Sequence, residues 1–205
     1  QALLGSPQAN QSIHAIPGEG TNVPLWILGS SLYGAQLAGM LGLPYAFASH
    51  FAPQAMMEAV SIYRERFEPS VQLSEPHVMV GCNIICADTE EEALRLFTTP
   101  QQQFTRMVRG TRGQLPPPID DIESFWSPME KEQVASMMAC SFCGSTKTIN
   151  EKLKKLIKDI NPDELMVAAA IWDHQARKRS FELLAQATGQ INKTDLNSRA
   201  EAISA

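Results

Sequence analysis

An α/β fold built on a parallel sheet is what this sequence predicts, and three observations predict it. Short, continuous apolar runs recur along the chain: VPLWIL from Val23, YAFA from Tyr45, HVMVGCNIIC from His77 and ELMVAAAIW from Glu164. Each is followed by a stretch whose apolar residues fall at helical spacing, so strands alternate with helices. The runs also lack polar/apolar alternation, which suits strands buried on both faces, and such strands belong to parallel sheets. Pattern alone leaves two architectures open: half of a (β/α)8 barrel, or a small doubly wound sheet of four strands.

Taken in order, residues 1–22 are polar, contain Gly and Pro, and read as an approach segment. Four β-α units then fill 23–189, and 190–205 form a tail. The first strand, 23–28, ends at Gly29-Ser30-Ser31. Its helix, 32–41, carries Leu37, Ala38 and Leu41 at helical spacing and stops at Gly42. The second strand, 45–48, leads through the loop Ser49-His50-Phe51-Ala52 to Pro53, a residue suited to a helix's first turn. That helix runs to about 67, with Met56, Met57, Val60 and Tyr63 as its core stripe. The third strand spans 77–86. Asp88-Thr89 caps the helix after it, which opens with Glu90, Glu91 and Glu92, acids that a helix dipole favours. The fourth strand, 164–172, precedes a last helix from Asp173 to about 187.

Between the third helix and the fourth strand lies an insertion, about 110–142. It holds Pro116-Pro117-Pro118, the pair Phe125-Trp126 and a short Met-rich helix. A further helix, about 148–160, follows Gly144-Ser145, with Thr148 and Glu151 at capping-box spacing. Insertions of this length are either lids over a functional face or surface excursions, and both remain open here.

Composition excludes several classes. The chain has 205 residues, 44% hydrophobic and 19% charged, with a formal net charge of -5. No basic run is interleaved with aromatics, which argues against a nucleic-acid partner. Lys152, Lys154, Lys155 and Lys158 make a solvated helix face. No apolar run is long enough to span a bilayer, and no secretory leader is legible before the first strand, where Gln1 stands in place of Met. The four cysteines include Cys82 and Cys86 in one strand and a single Cys140-x-x-Cys143. Neither a second Cys pair nor His at finger-like spacing completes a zinc site, so reduced thiols in a cytoplasmic protein, with no metal, are expected.

In either architecture, ligands bind at strand carboxyl ends. Gly29-Ser30-Ser31 opens a helix with no acid in its first turn. Glycine there permits close backbone approach, two hydroxyls can donate and the free N–H groups face outward, which together suit a phosphate. An ordinary serine N-cap would look the same. The third end, with Asp88 and Glu90 to Glu92, repels phosphate, and the fourth offers Asp173-His174. At the second end, His50 can hydrogen-bond a ligand or move a proton near neutral pH, or simply cap the loop.

The stretch from Val23 through Trp26 to Gly29-Ser30-Ser31, followed by GLPYAFASHF from Gly42 to Phe51, resembles the luciferase-like flavin monooxygenases, in particular the bacterial alkanal-monooxygenase-like branch. Gly144-Ser145, the segment from Asp163 to Val167, Asp173-His174, Arg177, Arg179-Ser180 and Leu183-Leu184 are similar to that branch's C-terminal region. The resemblance runs from Val23 to about Ala185. It implies the C-terminal half of a (β/α)8 TIM barrel, reduced FMN supplied by a separate flavin reductase, molecular oxygen as co-substrate and a small organic substrate. The family's phosphate loop after the fifth strand matches Gly29, Ser30, Ser31, Tyr33 and Gly34. Gly34 replaces a hydroxyl residue, so it contributes only its backbone. The resemblance also implies that strands one to four are missing. The expected partners are therefore the missing N-terminal half-barrel or a second copy, with a homo-oligomer when complete. The rival expectation is a non-catalytic flavin- or phosphate-binding half-barrel module.

Overall fold

The computed structural model describes residues 2–111 and 113–203, with 190–203 as helix backbone alone. The elements are β1 (Ile27–Gly29), α1 (Leu32–Met40), β2 (Tyr45–Phe47), α2 (Met56–Glu65), β3 (Val78–Cys86), α3 (Glu90–Val108), α4 (Pro128–Met137), β4 (Ser141–Gly144), α5 (Thr146–Ile160), β5 (Glu164–Ala168) and α6 (His174–Ile203). They form an α/β fold around one parallel sheet. No helix among the described residues is long and apolar enough to cross a membrane.

β3 organises the sheet because it takes three partners. Tyr45 N donates to His77 O and Asn83 N donates to Cys140 O, whereas Asp163 N donates to Val78 O. Successive backbone groups of a strand point to opposite edges, so residues 77 and 83 share one edge and 78 lies on the other. β2 and β4 therefore follow one another along a single edge of β3, and β5 takes the opposite edge. Past the end of β5, Cys86 N donates instead to the Ser180 hydroxyl of α6 at 2.9 Å.

The two faces of β3 differ in the same alternating way. Val78, Val80, Cys82, Ile84 and Cys86 lie in the main core with Ala35, Ala38, Ala59, Ile149 and Leu183, so α1, α2, α5 and α6 cover this face. Burying each such Val or Ile contributes about 1.5–3 kcal/mol. Tyr63 spans the layer with its polar end satisfied, donating to Leu43 O and accepting from His77 N. The opposite face carries Met79, Gly81 and Asn83. That face is covered at its carboxyl end, where Ile85 packs with Ala93 and Leu96 of α3, Cys143 and Ile171, and at Gly81, which is also buried.

Several expected boundaries move, each for a non-local reason. The first strand begins at Ile27, not at 23: Pro24 has no N–H, and the Gln72 side chain takes both the N–H and the C=O of Leu25. The last strand stops at Ala168, not at 172. The sheet has five strands where four are expected, because β4 lies at the end of the segment read as an insertion. α5 begins two residues earlier than expected, capped by Ser145 and not by Thr148. A capping box does form, at Ser127 and Glu130 of α4. The proline run is strapped along α3: Thr99 donates to Pro116 O, Gln102 to Pro117 O, and Ile119 N donates to Thr98. These bonds explain three of the polar side chains buried along α3; a fourth, Thr105, donates to Gln101 O within the helix.

Candidate functional site

The carboxyl ends of β1 and β2 lie side by side, since Gly29 pairs with Phe47 and Ala48 N donates to Gly29 O. Past Gly29 the chain turns directly into α1. Ser31 is its N-cap, in extended conformation, and its side chain makes no capping bond. The first turn, Leu32, Tyr33 and Gly34, contains no acid, and the N–H groups there have no partner within the helix. The Tyr45 hydroxyl donates to Ser31 O at 3.2 Å and pins the junction to β2; burial pushes that phenol up to about 12. Gly34 is buried, and a Cβ on it would meet Tyr45, Ile27 and Gly29, so it serves strand–helix packing and offers only its N–H. Tyr33 projects the other way and is 74% exposed.

The other helix starts are supplied with carboxylates. α2 has Glu58 in its first turn, and α3 has Glu90, Glu91 and Glu92 with Thr89 as N-cap. The N-cap bond of α6 is made by Asp173, whose carboxylate accepts from Ala176 N at 2.7 Å. Glu130 closes the capping box of α4 while bonded to Arg109. α5 is the informative case. Its own first turn has no acid, but Glu90 reaches across from α3 and accepts from Ser145 N, the Ser145 hydroxyl and the Thr148 hydroxyl. These bonds, with Lys152 nearby, hold the Glu90 carboxyl down at about 2. Among the described helices, α1 alone begins without a carboxylate of its own or a borrowed one.

Acids expected to act together at the end of the third strand are thus divided. Glu90 plugs α5, while Asp88 pairs with Arg179 at 2.7 Å, which holds its carboxyl below the usual range.

His50 sits just past β2. Ser49 is fully buried and its hydroxyl donates to Gly81 O. Asn83 Nδ2 donates to His50 O at 2.8 Å and to Ser141 Oγ at 3.1 Å, tying the loop to β3 and β4. The imidazole lies over Gly81, on the sheet face opposite the helices. A Cβ at Gly81 would come within 2.2 Å of His50 Nδ1, so only glycine leaves room for the ring. Nδ1 is buried with no hydrogen-bond partner among the described residues. Gly81 and Asn83 escape the sequence reading, although a glycine and a lone amide inside the apolar run VMVGCNIIC were the visible signal.

Cys82, Cys86, Cys140 and Cys143 are free and buried. Burial pushes the thiols of Cys82 and Cys86 up to about 12 and about 11, far from nucleophilic at neutral pH. Among the described residues, no group of three or more His, Cys, Asp and Glu could hold a metal ion. A shallow groove lined by Met57, Val60, Arg64, Asp159 and Ile160 lies on the helical side, away from the strand carboxyl ends.

Comparison with known proteins bears on the same region. The family model described as luciferase-like monooxygenase matches residues 6–162. A luciferase-like monooxygenase of Escherichia coli K12 is 47% identical over 174 residues, 85% of this chain and 52% of that protein. The protein YvbT of Bacillus subtilis 168 is 45% identical over 180 residues, 88% of this chain and 54% of its own length. Among solved structures, apo-MsnO8 superposes with a TM-score of 0.77 at 30% identity, covering 89% of this chain and 56% of its own. The chain spans about half the length of the curated relatives it matches. With most of its length inside the matched segment and a parallel-sheet fold that agrees with it, this chain belongs to the luciferase-like monooxygenase family.

Proposed function

We propose that the chain supplies the C-terminal half of a (β/α)8-barrel, FMN-dependent monooxygenase, and that it carries the phosphate end of the flavin site. One observation carries this reading: α1 starts without a carboxylate and with the Ser31 hydroxyl unused, so an anion is what its free N–H groups lack. The residues fit a phosphate ester. The hydroxyls of Ser30 and Ser31 and the N–H groups of Leu32, Tyr33 and Gly34 would hold it, and Gly29 leaves the approach open. His50, held on the same end of the neighbouring strand, would line the pocket.

Reduced FMN, delivered by a separate reductase, supplies the electrons with which molecular oxygen is divided between a small organic substrate and water. The chain's own residues bind and orient. They also close one side of the pocket, where α3, Ile85 and Ile171 form a dry cluster at the strand ends. The face away from the helices leaves Leu28 71% and Met166 56% exposed. An N-terminal half-barrel would cover it, and the cytoplasm is the compartment that suits four reduced thiols.

Fluorescence titration of FMN against the chain and its Ser31→Ala variant tests the phosphate assignment. The variant is expected to bind roughly tenfold more weakly, the loss of one hydrogen bond to a charged group. Unchanged affinity overturns the assignment. Oxygen uptake by the complete protein separates an enzyme from a non-catalytic flavin-binding half-barrel, which would bind without turnover.

A further inference from the structure

The His50 loop is more tightly specified than a loop that merely lines a pocket needs to be. Three bonds or contacts position it: Ser49 on Gly81 O, Asn83 on His50 O, and the imidazole over the bare Cα of Gly81. They fix both the place of the ring and its hydrogen-bonding sense. Nδ1 is buried against Gly81 with no partner among the described residues. A buried N–H without an acceptor is the rarer and costlier orphan, whereas a bare nitrogen can rest against a Cα–H. Nδ1 is therefore the unprotonated nitrogen, and the proton of the neutral ring is on Nε2. Nε2 has no partner among the described residues and is not among the buried unpaired atoms.

The Asn83 amide is fixed in the complementary sense. A carbonyl cannot donate, so the atom facing His50 O must be Nδ2. Its second hydrogen goes to Ser141 Oγ. Oδ1 is left as an acceptor with no partner among the described residues, next to the loop its own amide holds.

We propose that His50 Nε2–H and Asn83 Oδ1 together read a donor–acceptor edge on the ligand bound at the strand ends: a lactam or imide, in which a ring N–H adjoins a C=O. The C=O accepts from His50 and the N–H donates to Asn83. Gly81 is the positioning residue, since it alone makes room for the ring. The pyrimidine end of a flavin is an edge of this kind, so the inference rests on the flavin reading and extends it from the phosphate to the ring.

The test compares FMN with FMN methylated at the pyrimidine N3, which keeps the phosphate and the carbonyls but loses the donor. Dissociation constants are measured by fluorescence for the chain and for Asn83→Ala, His50→Ala and Gly81→Ala. The unmodified chain should prefer FMN by about tenfold, the cost of leaving one polar group unpaired in a site built for it. The preference should fall below about twofold in Asn83→Ala. Gly81→Ala should weaken FMN binding as much as His50→Ala does, because it evicts the ring. Equal binding of the two flavins by the unmodified chain overturns this proposal and leaves the phosphate site standing. Failure to bind either flavin overturns both. Where a variant does not fold, nitrogen NMR of labelled histidine in the unmodified chain decides: a protonated Nε2 on His50 supports the assignment, and a protonated Nδ1 overturns it.

Discussion

Two strand–helix junctions in this molecule share a short motif and differ in what completes them. Gly29-Ser30-Ser31 leads β1 into α1, and Gly144-Ser145 leads β4 into α5. Both glycines precede a serine N-cap in extended conformation, and neither helix has an acid in its first turn. At α5 the fold brings Glu90 across from α3 to accept three hydrogen bonds. At α1 no carboxylate arrives from among the described residues. The same local grammar thus yields an internally satisfied cap in one place and an open anion cradle in the other. What separates them is a carboxylate 55 residues distant in sequence.

The strongest way to break the comparison is at the glycines. A Cβ on Gly144 would lie 2.7 Å from Thr148 Cγ2 and 2.9 Å from Glu90 Oε2, whereas a Cβ on Gly29 meets only Gly34 Cα, at 4.0 Å. Gly144 also holds a φ of +150°, which residues with a Cβ rarely adopt, so Gly144→Ala should cost about 2–3 kcal/mol from overpacking and backbone strain together. Gly29→Ala should leave stability within about 0.5 kcal/mol. Urea midpoints of the two variants measure the difference. Equal losses would mean that the α1 junction is as closed as the α5 junction.

The serines should separate the same two junctions more gently. Ser145 accepts from Thr148 N and donates to Glu90, so Ser145→Ala should cost about 1 kcal/mol, as lost N-caps do. Ser31 makes no capping bond, and Ser31→Ala should leave the midpoint where it is. A destabilised Ser31→Ala variant would show that the hydroxyl is structural.

That contrast also marks how far the sequence could be read. β1, β2, β3 and β5 were legible because their apolar runs are local facts, and so was Thr89 as the cap of α3. β4 was not, because Ser141 to Gly144 becomes a strand only through the free edge that β3 offers at Asn83 to Cys86. The acid-free start of α1 was legible; the plugging of α5 by Glu90 was not, because it depends on a contact across the fold. For the same reason His50 was visible as a candidate, while its seat on Gly81 and its tie to Asn83 were not.

Acid should sharpen the comparison through Glu90 itself. Its carboxyl is held at about 2 in the folded chain, below the usual 4.5. A depressed folded value means that the stabilisation is fully present above about 4.5 and is lost as pH falls from there towards 2. The stability difference between the unmodified chain and Glu90→Gln should therefore be constant at neutral pH and close over that window. Glu130, also held at about 2 by Arg109, keeps its own acid dependence in both proteins. A difference that persists unchanged at pH 2–3 would mean that Glu90 acts through its shape and not through its charge.

The smallest effect is the most direct exchange of one junction for the other. Removing the plug with Glu90→Ala leaves Ser145 N, the Ser145 hydroxyl and the Thr148 hydroxyl without their acceptor, beside Lys152, which donates to Cys143 O at 3.0 Å. That set is close to what α1 already presents: free N–H groups, a serine hydroxyl and the positive end of a helix. Sulfate should then occupy α5 as well. Relative to sodium chloride at matched ionic strength, sulfate should raise the melting temperature of Glu90→Ala by about 1–3 °C more than that of the unmodified chain. General salting-out acts on both proteins alike and drops out of the comparison. Adding Ser31→Ala to Glu90→Ala should reduce only the part of the sulfate response that the unmodified chain shares, because α1 and α5 lie on separate strands. If sulfate stabilises both proteins equally, Glu90 does not stand in for an anion at α5. The absence of any such group at α1 then loses its force as the sign of a phosphate site.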